Sequence, residues 1–308
     1  MRPLPCTCLT TLIMLLVCHL TPLSGVQGAP QRLHGTEPEI SLTHLRQNGE
    51  GMIEERRFDE ALAIFKKIAL LAPHDLGAMI RLADIYSWKG DYDHSISLYR
   101  DVVAHDTVNL AALKGLARVM RWAMRYGEST IFYERVLAIE PNDPGVLTGL
   151  AMVYAQQHNL ERALWYVGKA DEVSPRNQRV LMTKGDILTW ANRFSEAEQT
   201  YRQALSVNPL TAEVYHCLGD MYRWSGRHAQ SVEAFKNALK LEPRNAGYLK
   251  DLAEVAIAAD MLREAEEAVR ALFIASPDDP DGYRILSELE SKRKLSLSSV
   301  MIDYIKPF

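Results

Sequence analysis

One spacing constrains this chain more than anything else in it. Written in rows of 34 residues from Leu42, the sequence places Pro73, Pro141, Pro175, Pro209, Pro243 and Pro277 in a single column, the 32nd, interrupted only by Thr107. Seven such rows run from Leu42 to Asp279 without insertion or deletion. A strict period of this length means one small unit repeated, with a core that grows row by row. The 308 residues therefore need not divide into two globular domains, as length alone would suggest.

Other columns carry the packing logic. Column 8 reads Gly49, Ala83, Ala117, Ala151, Gly185, Gly219 and Ala253, and column 20 reads Ala61, Ser95, Ser129, Ala163, Ala197, Ser231 and Ala265. Every residue in both is small, so two backbones can approach at those points while larger neighbours fill the space beside them. Column 4 is mostly Leu, with Met79 and Tyr215, and column 24 holds Phe65, Tyr99, Tyr133, Val167, Tyr201, Phe235 and Val269. At about 100° per residue, columns 4, 7, 8 and 11 share one face of a first helix, and columns 17, 20, 24 and 27 share one face of a second. Lys184 and Asn48 depart from the otherwise apolar column 7. Gly90 and Gly226 in column 15 mark a tight turn between the helices, and the column-32 proline ends the second. Each row is predicted to be an antiparallel helix pair.

The small-residue columns, the aromatic column and the proline column resemble the tetratricopeptide repeat across all seven rows. The resemblance implies an all-α, right-handed superhelical solenoid whose first helices line an inner, concave surface that binds a partner. After the seven repeats, residues 280–293, with Tyr283, Leu286 and Leu289 on one face, read as a capping helix. Residues 294–308 change character, because Val300, Ile302, Tyr304 and Phe308 fall at even spacing, and are expected to form a strand-like tail.

The first 28 residues have the layout of a signal peptide: Arg2, an apolar run from Leu9 to Val17, and Val26 and Gly28 before a cut at Ala29. The run is about 9 to 12 residues, against the roughly 20 needed to cross a bilayer. Residues 29–41 form a short polar leader. Cleavage removes Cys6, Cys8 and Cys18, leaving Cys217 as the one thiol, so the exported chain is expected to fold without disulfides. Cys217, in column 6, is expected off the buried stripe. The chain lacks any Asn-x-Ser/Thr site, which favours a bacterial periplasmic or outer-membrane setting over a eukaryotic secretory one.

Composition narrows the function. A net charge of −4 is too close to neutral for a nucleic-acid surface. The chain contains no G-x-x-x-x-G-K loop, no G-x-S-x-G elbow and no H-E-x-x-H pair, and the histidines fall in unrelated columns. Asp278, Asp279 and Asp281 precede a helix and read as caps rather than calcium ligands. His228 in column 17 reads as a packed histidine. No enzyme, cofactor or metal is implied.

Column 13 holds Trp88, Trp122, Trp190 and Trp224, four of the five tryptophans, with Gln156 at the intervening rung. It lies about 180° from the buried stripe of its own helix. Columns 2, 5, 9, 12 and 13 would then face the groove, placing Asp84, Arg118, Arg121, Asp186, His216, Asp220, Arg223 and Glu254 among the tryptophans. Aromatic plates between bidentate donors and acceptors suit either peptide side chains or sugar rings. Neighbouring first helices roughly 10 Å apart would bring Trp88 beside Trp122 and Trp190 beside Trp224 as two aromatic pairs. An alternative is that each Trp wedges between helices and only shapes curvature.

An exported array with repeated Trp and a strand-like end also resembles the periplasmic repeat segment of bacterial outer-membrane exopolysaccharide-export proteins. Those carry a β-barrel after the repeats, and one strand is far short of the eight a barrel needs. The expectation is a non-enzymatic exported scaffold that binds protein or polysaccharide, associated with the outer membrane through a partner. The alternative is a protein-binding assembly factor for envelope proteins or a secretion machine.

Overall fold

The structure is a computed structural model and describes residues 41–305. The expected signal peptide and most of the leader lie outside the described residues. Among the described residues all regular structure is helical. The pairs are α1 (Leu42–Glu54) with α2 (Phe58–Leu71), α3 (Leu76–Trp88) with α4 (Tyr92–His105), and α5 (Leu110–Trp122) with α6 (Tyr126–Ile139). They continue as α7 (Pro144–Gln156) with α8 (Leu160–Val173), α9 (Gln178–Trp190) with α10 (Phe194–Val207), α11 (Ala212–Trp224) with α12 (His228–Leu241), and α13 (Ala246–Ala258) with α14 (Leu262–Ala275). A long α15 (Pro280–Ile305) closes the array.

The turn within each pair depends on one backbone geometry. All seven column-15 residues have positive φ: Gly90 at 79° and Gly226 at 74°, but also Arg56, Met124, His158, Asn192 and Asp260 at 56° to 60°. The left-handed residue turns the chain sharply enough for the second helix to fold back on the first. The amide two residues after the last helical residue of α3 donates to Ser87, and the next, from Asp91, to Tyr86. A second signal sits in column 34, where Asp75, Asn109, Asp143, Asn177, Asn245 and Asp279 each accept from a backbone N–H in the first turn of the following helix. These caps satisfy donors that a helix start would otherwise leave open.

The small columns do what their size allows. Ser95, Ser129 and Ser231 are fully buried, and each donates at 2.7 Å to the column-8 carbonyl of its partner helix, Ala83, Ala117 or Gly219. The column-24 aromatic packs where column 8 or column 6 leaves no side chain. A β-carbon on Gly185 would stand 2.5 Å from the Tyr201 ring, and one on Gly115 would stand 2.3 Å from the ring of Tyr99 in the preceding repeat. The ring thus interlocks within its own repeat at Gly49, Gly185 and Gly219, and with the next repeat at Gly115 and Gly149.

Successive first helices also touch one another, α3 with α5, α5 with α7, α7 with α9 and α9 with α11, whereas each second helix makes its inter-repeat contact with the following first helix. The first helices therefore lie on the inside of the stack. α15 takes the place of an eighth first helix, burying Ile285 and Leu289 against α13 and α14.

Two expectations are corrected. Residues 294–305 continue α15 instead of forming a strand, so the terminal helix extends beyond residue 293. The segment holds no Pro or Gly before Ile305, and extending an existing helix costs less than starting an isolated strand with no partner edge. Cys217 is not off the core: it packs with Leu218 and Met221 against Tyr201 and Ala204, and burial, then the charge of Asp186, pushes its thiol well above the usual range.

Candidate binding face on the first helices

The column-9 residues, one from each first helix, set the chemistry of this face. Asp84 on α3 is 8% exposed and would be costly to bury alone. It accepts from the Tyr99 hydroxyl at 2.6 Å, and Arg118 on α5 closes on the same carboxylate at 2.8 Å. Burial, then the Asp84 charge, raises the Tyr99 phenol far above its ordinary range, so it stays a donor. Arg81 extends the network outward, reaching Glu50 on α1 at 2.7 Å.

Repeats 6 and 7 carry a second network. Arg223 spans three carboxylates, Asp220 at 2.6 Å on its own helix and Asp251 and Glu254 at 3.2 and 3.7 Å on α13. His216 reaches Asp251 at 2.8 Å and stacks on Tyr248 with ring centroids 4.7 Å apart. Burial opposes its charge, but the Asp251 bond and the Asp220 charge win and raise its pKa. Glu254 accepts from Arg284 of α15 at 2.5 Å, tying the terminal helix to the array. His216, Asp220 and Asp251 stand close enough to hold a metal ion. Arg223 already bonds both carboxylates and His216 bonds Asp251 across the repeat boundary, so the arrangement works as an inter-repeat staple.

The tryptophans do not behave alike. Each is the last residue of its helix. Trp122 and Trp190 are half-buried and pack against core clusters, with the Arg118 guanidinium 5.4 Å over the Trp122 ring. Trp88 and Trp224 remain 39% and 54% exposed. Trp88 packs on Phe58 of the preceding repeat, ring centroids 5.4 Å apart. Among the described residues, neither Trp88 with Trp122 nor Trp190 with Trp224 makes a ring contact, so the two expected aromatic pairs are not formed. The wedge and the exposed plate are both present, in different repeats.

Asp186 on α9 accepts from Tyr201 at 2.6 Å, and burial, reinforced by Glu213 and Asp220, raises its pKa. Arg121 lies beside the Tyr133 hydroxyl. The structure thus brings Asp84 with Arg118, and His216, Asp220, Arg223 and Glu254 with one another, and leaves Asp186 and Arg121 outside both networks. Sequence reasoning missed Glu50, Arg81, Asp251 and Arg284, the partners that complete these networks. It also took column 24 as core alone, although a Tyr facing an Asp in column 9 signals a hydroxyl that needs an acceptor.

The acidic turn at Asp279 works as a cap, its Oδ1 accepting from the amides of Asp281 and Gly282 at 2.9 and 3.1 Å, with Lys250 beside both carboxylates. His228 is half-buried at the start of α12, its Nδ1 enclosed.

The fold and this face define an all-helical repeat scaffold with a continuous inner face built from first helices. Sequence profiles described as tetratricopeptide repeat match residues 52–119 and 225–289, and another of the same description matches residues 178–209. The chain belongs to the tetratricopeptide repeat family. Among solved structures it is similar to a tetratricopeptide repeat protein from Parabacteroides merdae, at 15% identity and TM-score 0.63, covering 81% of this chain and 98% of that one. It is also similar to PilW, titled a widely conserved type IV pilus biogenesis factor, at 18% identity and TM-score 0.60, covering 69% and 99%. Pseudomonas aeruginosa PilF matches at 18% identity and TM-score 0.53, covering 69% and 97%. At these identities the likeness is one of fold. No characterised protein sequence matches the chain.

Proposed function

We propose that the chain is a non-enzymatic, exported scaffold that binds a protein segment along its first-helix face and acts in assembling a structure of the bacterial envelope. The observation that carries this reading is the face itself. Charged and hydrogen-bonding groups run along it from Glu50 to Glu254, held by inter-repeat bonds, in the arrangement that fixes an extended chain by side-chain pairing. The leader-like first 28 residues support the compartment, and the fold likeness to a type IV pilus biogenesis factor supports the assembly role. Among the described residues no helix is long and apolar enough to cross a membrane, so membrane association would pass through a partner.

The test has two parts. Terminal sequencing of protein recovered from an expressing bacterium's envelope should begin at Ala29, and an intact Met1 there rejects export. In-cell photo-crosslinking from position 152, on the first helix of repeat 4, should capture one discrete protein, and the loss of that product in a Trp224→Ala or Arg121→Gln variant should follow.

A second reading, binding of an exopolysaccharide, rests on the exposed rings of Trp88 and Trp224. Sugar stacking needs open aromatic faces, and the other two tryptophans are partly spent on packing. A glycan array showing micromolar binding, with none to peptides, would favour it.

A further inference from the structure

Three column-24 tyrosines bring their hydroxyls to the first-helix face, and their surroundings differ in an informative way. At Tyr99 the unit is complete: hydroxyl to Asp84 at 2.6 Å, and Asp84 to Arg118 at 2.8 Å. At Tyr201 the hydroxyl bonds Asp186 at the same 2.6 Å, but the residue in Arg118's column one repeat on is Asp220, already engaged by Arg223. Among the described residues no cation stands within ion-pair reach of Asp186, and the charges that bear on it are those of Glu213 and Asp220. This is the carboxylate half of the Tyr99 unit.

Tyr133 shows the other half. The groups beside its hydroxyl are Arg121 and Arg118. Arg118 is turned back to Asp84, and Arg121 makes no ion pair among the described residues. The Nε atoms of both arginines are buried without an acceptor. Between the two half-units, repeat 4 presents only uncharged groups in the groove columns: Gly145, Thr148, Met152, Ala155 and Gln156, whose Oε1 is likewise enclosed without a donor.

A partly buried charge without a counter-charge is unfavourable, and the complete unit in repeat 2 shows what relieves it. α5 and α9 are two repeats apart, about 20 Å at roughly 10 Å per neighbouring helix. An extended chain covers that distance in about six residues. We infer that the first-helix face binds an extended peptide carrying an acidic side chain at Arg121 and, about six residues away, a basic side chain at Asp186, which completes the Tyr201 unit as Arg118 completes that of Tyr99. A neutral glycan supplies neither charge and an acidic one only the first. The inference rests on the peptide-binding reading above and adds polarity and spacing to it.

The test is to pan a phage-displayed library of random dodecapeptides against the full-length chain, then measure the best synthetic peptide by calorimetry. Enriched peptides should hold an acid and a base about six residues apart, in one order only. Arg121→Gln should weaken that peptide roughly tenfold and abolish the acid preference while keeping the basic one. Asp186→Asn, which still accepts from Tyr201 and so keeps the fold, should do the converse. Unchanged far-UV circular dichroism establishes that both variants fold. Enriched peptides that compete with one another but lack the charge pair, or bind both variants as tightly as the original chain, overturn the charge assignment and leave the groove reading standing. If no peptide is enriched and a glycan array gives binding, both fall.

Discussion

Tyr133 lies so close to the backbone of Gly149, one repeat further on, that a β-carbon there would stand 2.5 Å from its ring. The same contact joins Tyr99 to Gly115. Where column 24 holds the smaller Val167, the residue facing it one repeat on is Thr183. Phe65, Tyr201 and Phe235 lean instead on the column-8 glycines of their own repeats, Gly49, Gly185 and Gly219, and there column 6 of the next repeat holds Arg81, Cys217 or Asp251, so a ring demands glycine only at the column it leans on.

This relationship predicts the sign of two alanine substitutions that helix propensity alone would make equal. Ala is favoured over Gly in a helix by about 1 kcal/mol. Gly168→Ala, in the middle of α8 where nothing lies within 4 Å of the new carbon, should stabilise by about that amount. Gly149→Ala must displace a buried ring and should destabilise by about 1 to 3 kcal/mol. Adding Tyr133→Val to Gly149→Ala should recover part of the loss. Denaturant unfolding of the four proteins checks it, and equal effects at the two glycines would sink the interlock.

The left-handed column gives a second expectation. Met124 holds φ at 57° with a long, 74% exposed side chain that gains little from its position. Left-handed geometry costs a non-glycine residue about 1 to 2 kcal/mol. Met124→Gly should therefore stabilise by up to about 1 kcal/mol after glycine's own entropy cost, and Gly226→Ala should destabilise comparably. A thermal melt of each is enough to tell, and a less stable Met124→Gly would reject the account.

These two cases show what the sequence made legible. Gly90 and Gly226 announced the turn, and the 34-residue period carried it to Arg56, Met124, His158, Asn192 and Asp260, which give no local hint of positive φ. The small columns revealed which helices approach, since size is a local property. The pairing of Arg118 with Asp84 and of His216 with Asp251 was not legible, because it depends on the rotation between repeats, which no column records. For the same reason Trp122 and Trp190 were placed on an open face: their angle within one helix was right, and the neighbouring repeat covers them. The alternation after Lys294 misled because a strand needs an edge to pair with, while α15 needed only to continue.

The four tryptophans should separate by stability. Trp122→Ala and Trp190→Ala remove rings packed on core clusters and should cost about 2 to 3 kcal/mol, below the 3 to 5 of a fully buried aromatic. Trp224→Ala, from a side chain more than half in water, should cost under about 1 kcal/mol and act chiefly on partner binding. Trp165, 54% exposed on α8 with Lys169 over its ring, should change neither and serves as control. Chemical denaturation with peptide titration measures both quantities. Uniform costs across the ladder would show that exposure does not sort them.

The joint between repeats 6 and 7 should respond to pH through His216. It faces Asp220 and Arg223 from its own helix, Asp251 from α13, and the rings of Phe235 and Tyr248, with Glu254 of α13 3.7 Å from Arg223. Burial works against its charge, but the bond to Asp251 and the Asp220 charge raise its pKa above the ordinary 6.5. A raised histidine pKa stabilises the folded chain in full below the unfolded value, and the contribution is lost as pH rises through the folded one. Asp251 is shifted the other way: burial opposes its charge, yet His216 and Arg223 hold it below 3.8, so its share is present above that value and fades as pH falls through the folded pKa. The staple is therefore strongest between about pH 4 and pH 6.5. A hydrogen bond to a charged group contributes about 1.5 to 3 kcal/mol, and with 24% and 25% of the two side chains in water roughly 1 kcal/mol is expected here. His216→Gln should thus be less stable than the original chain by about that amount at pH 5.5, and the gap should close toward pH 9. Urea unfolding at both pH values reads the difference directly, and a gap that does not change with pH would show that His216 holds the joint by packing on Tyr248 alone.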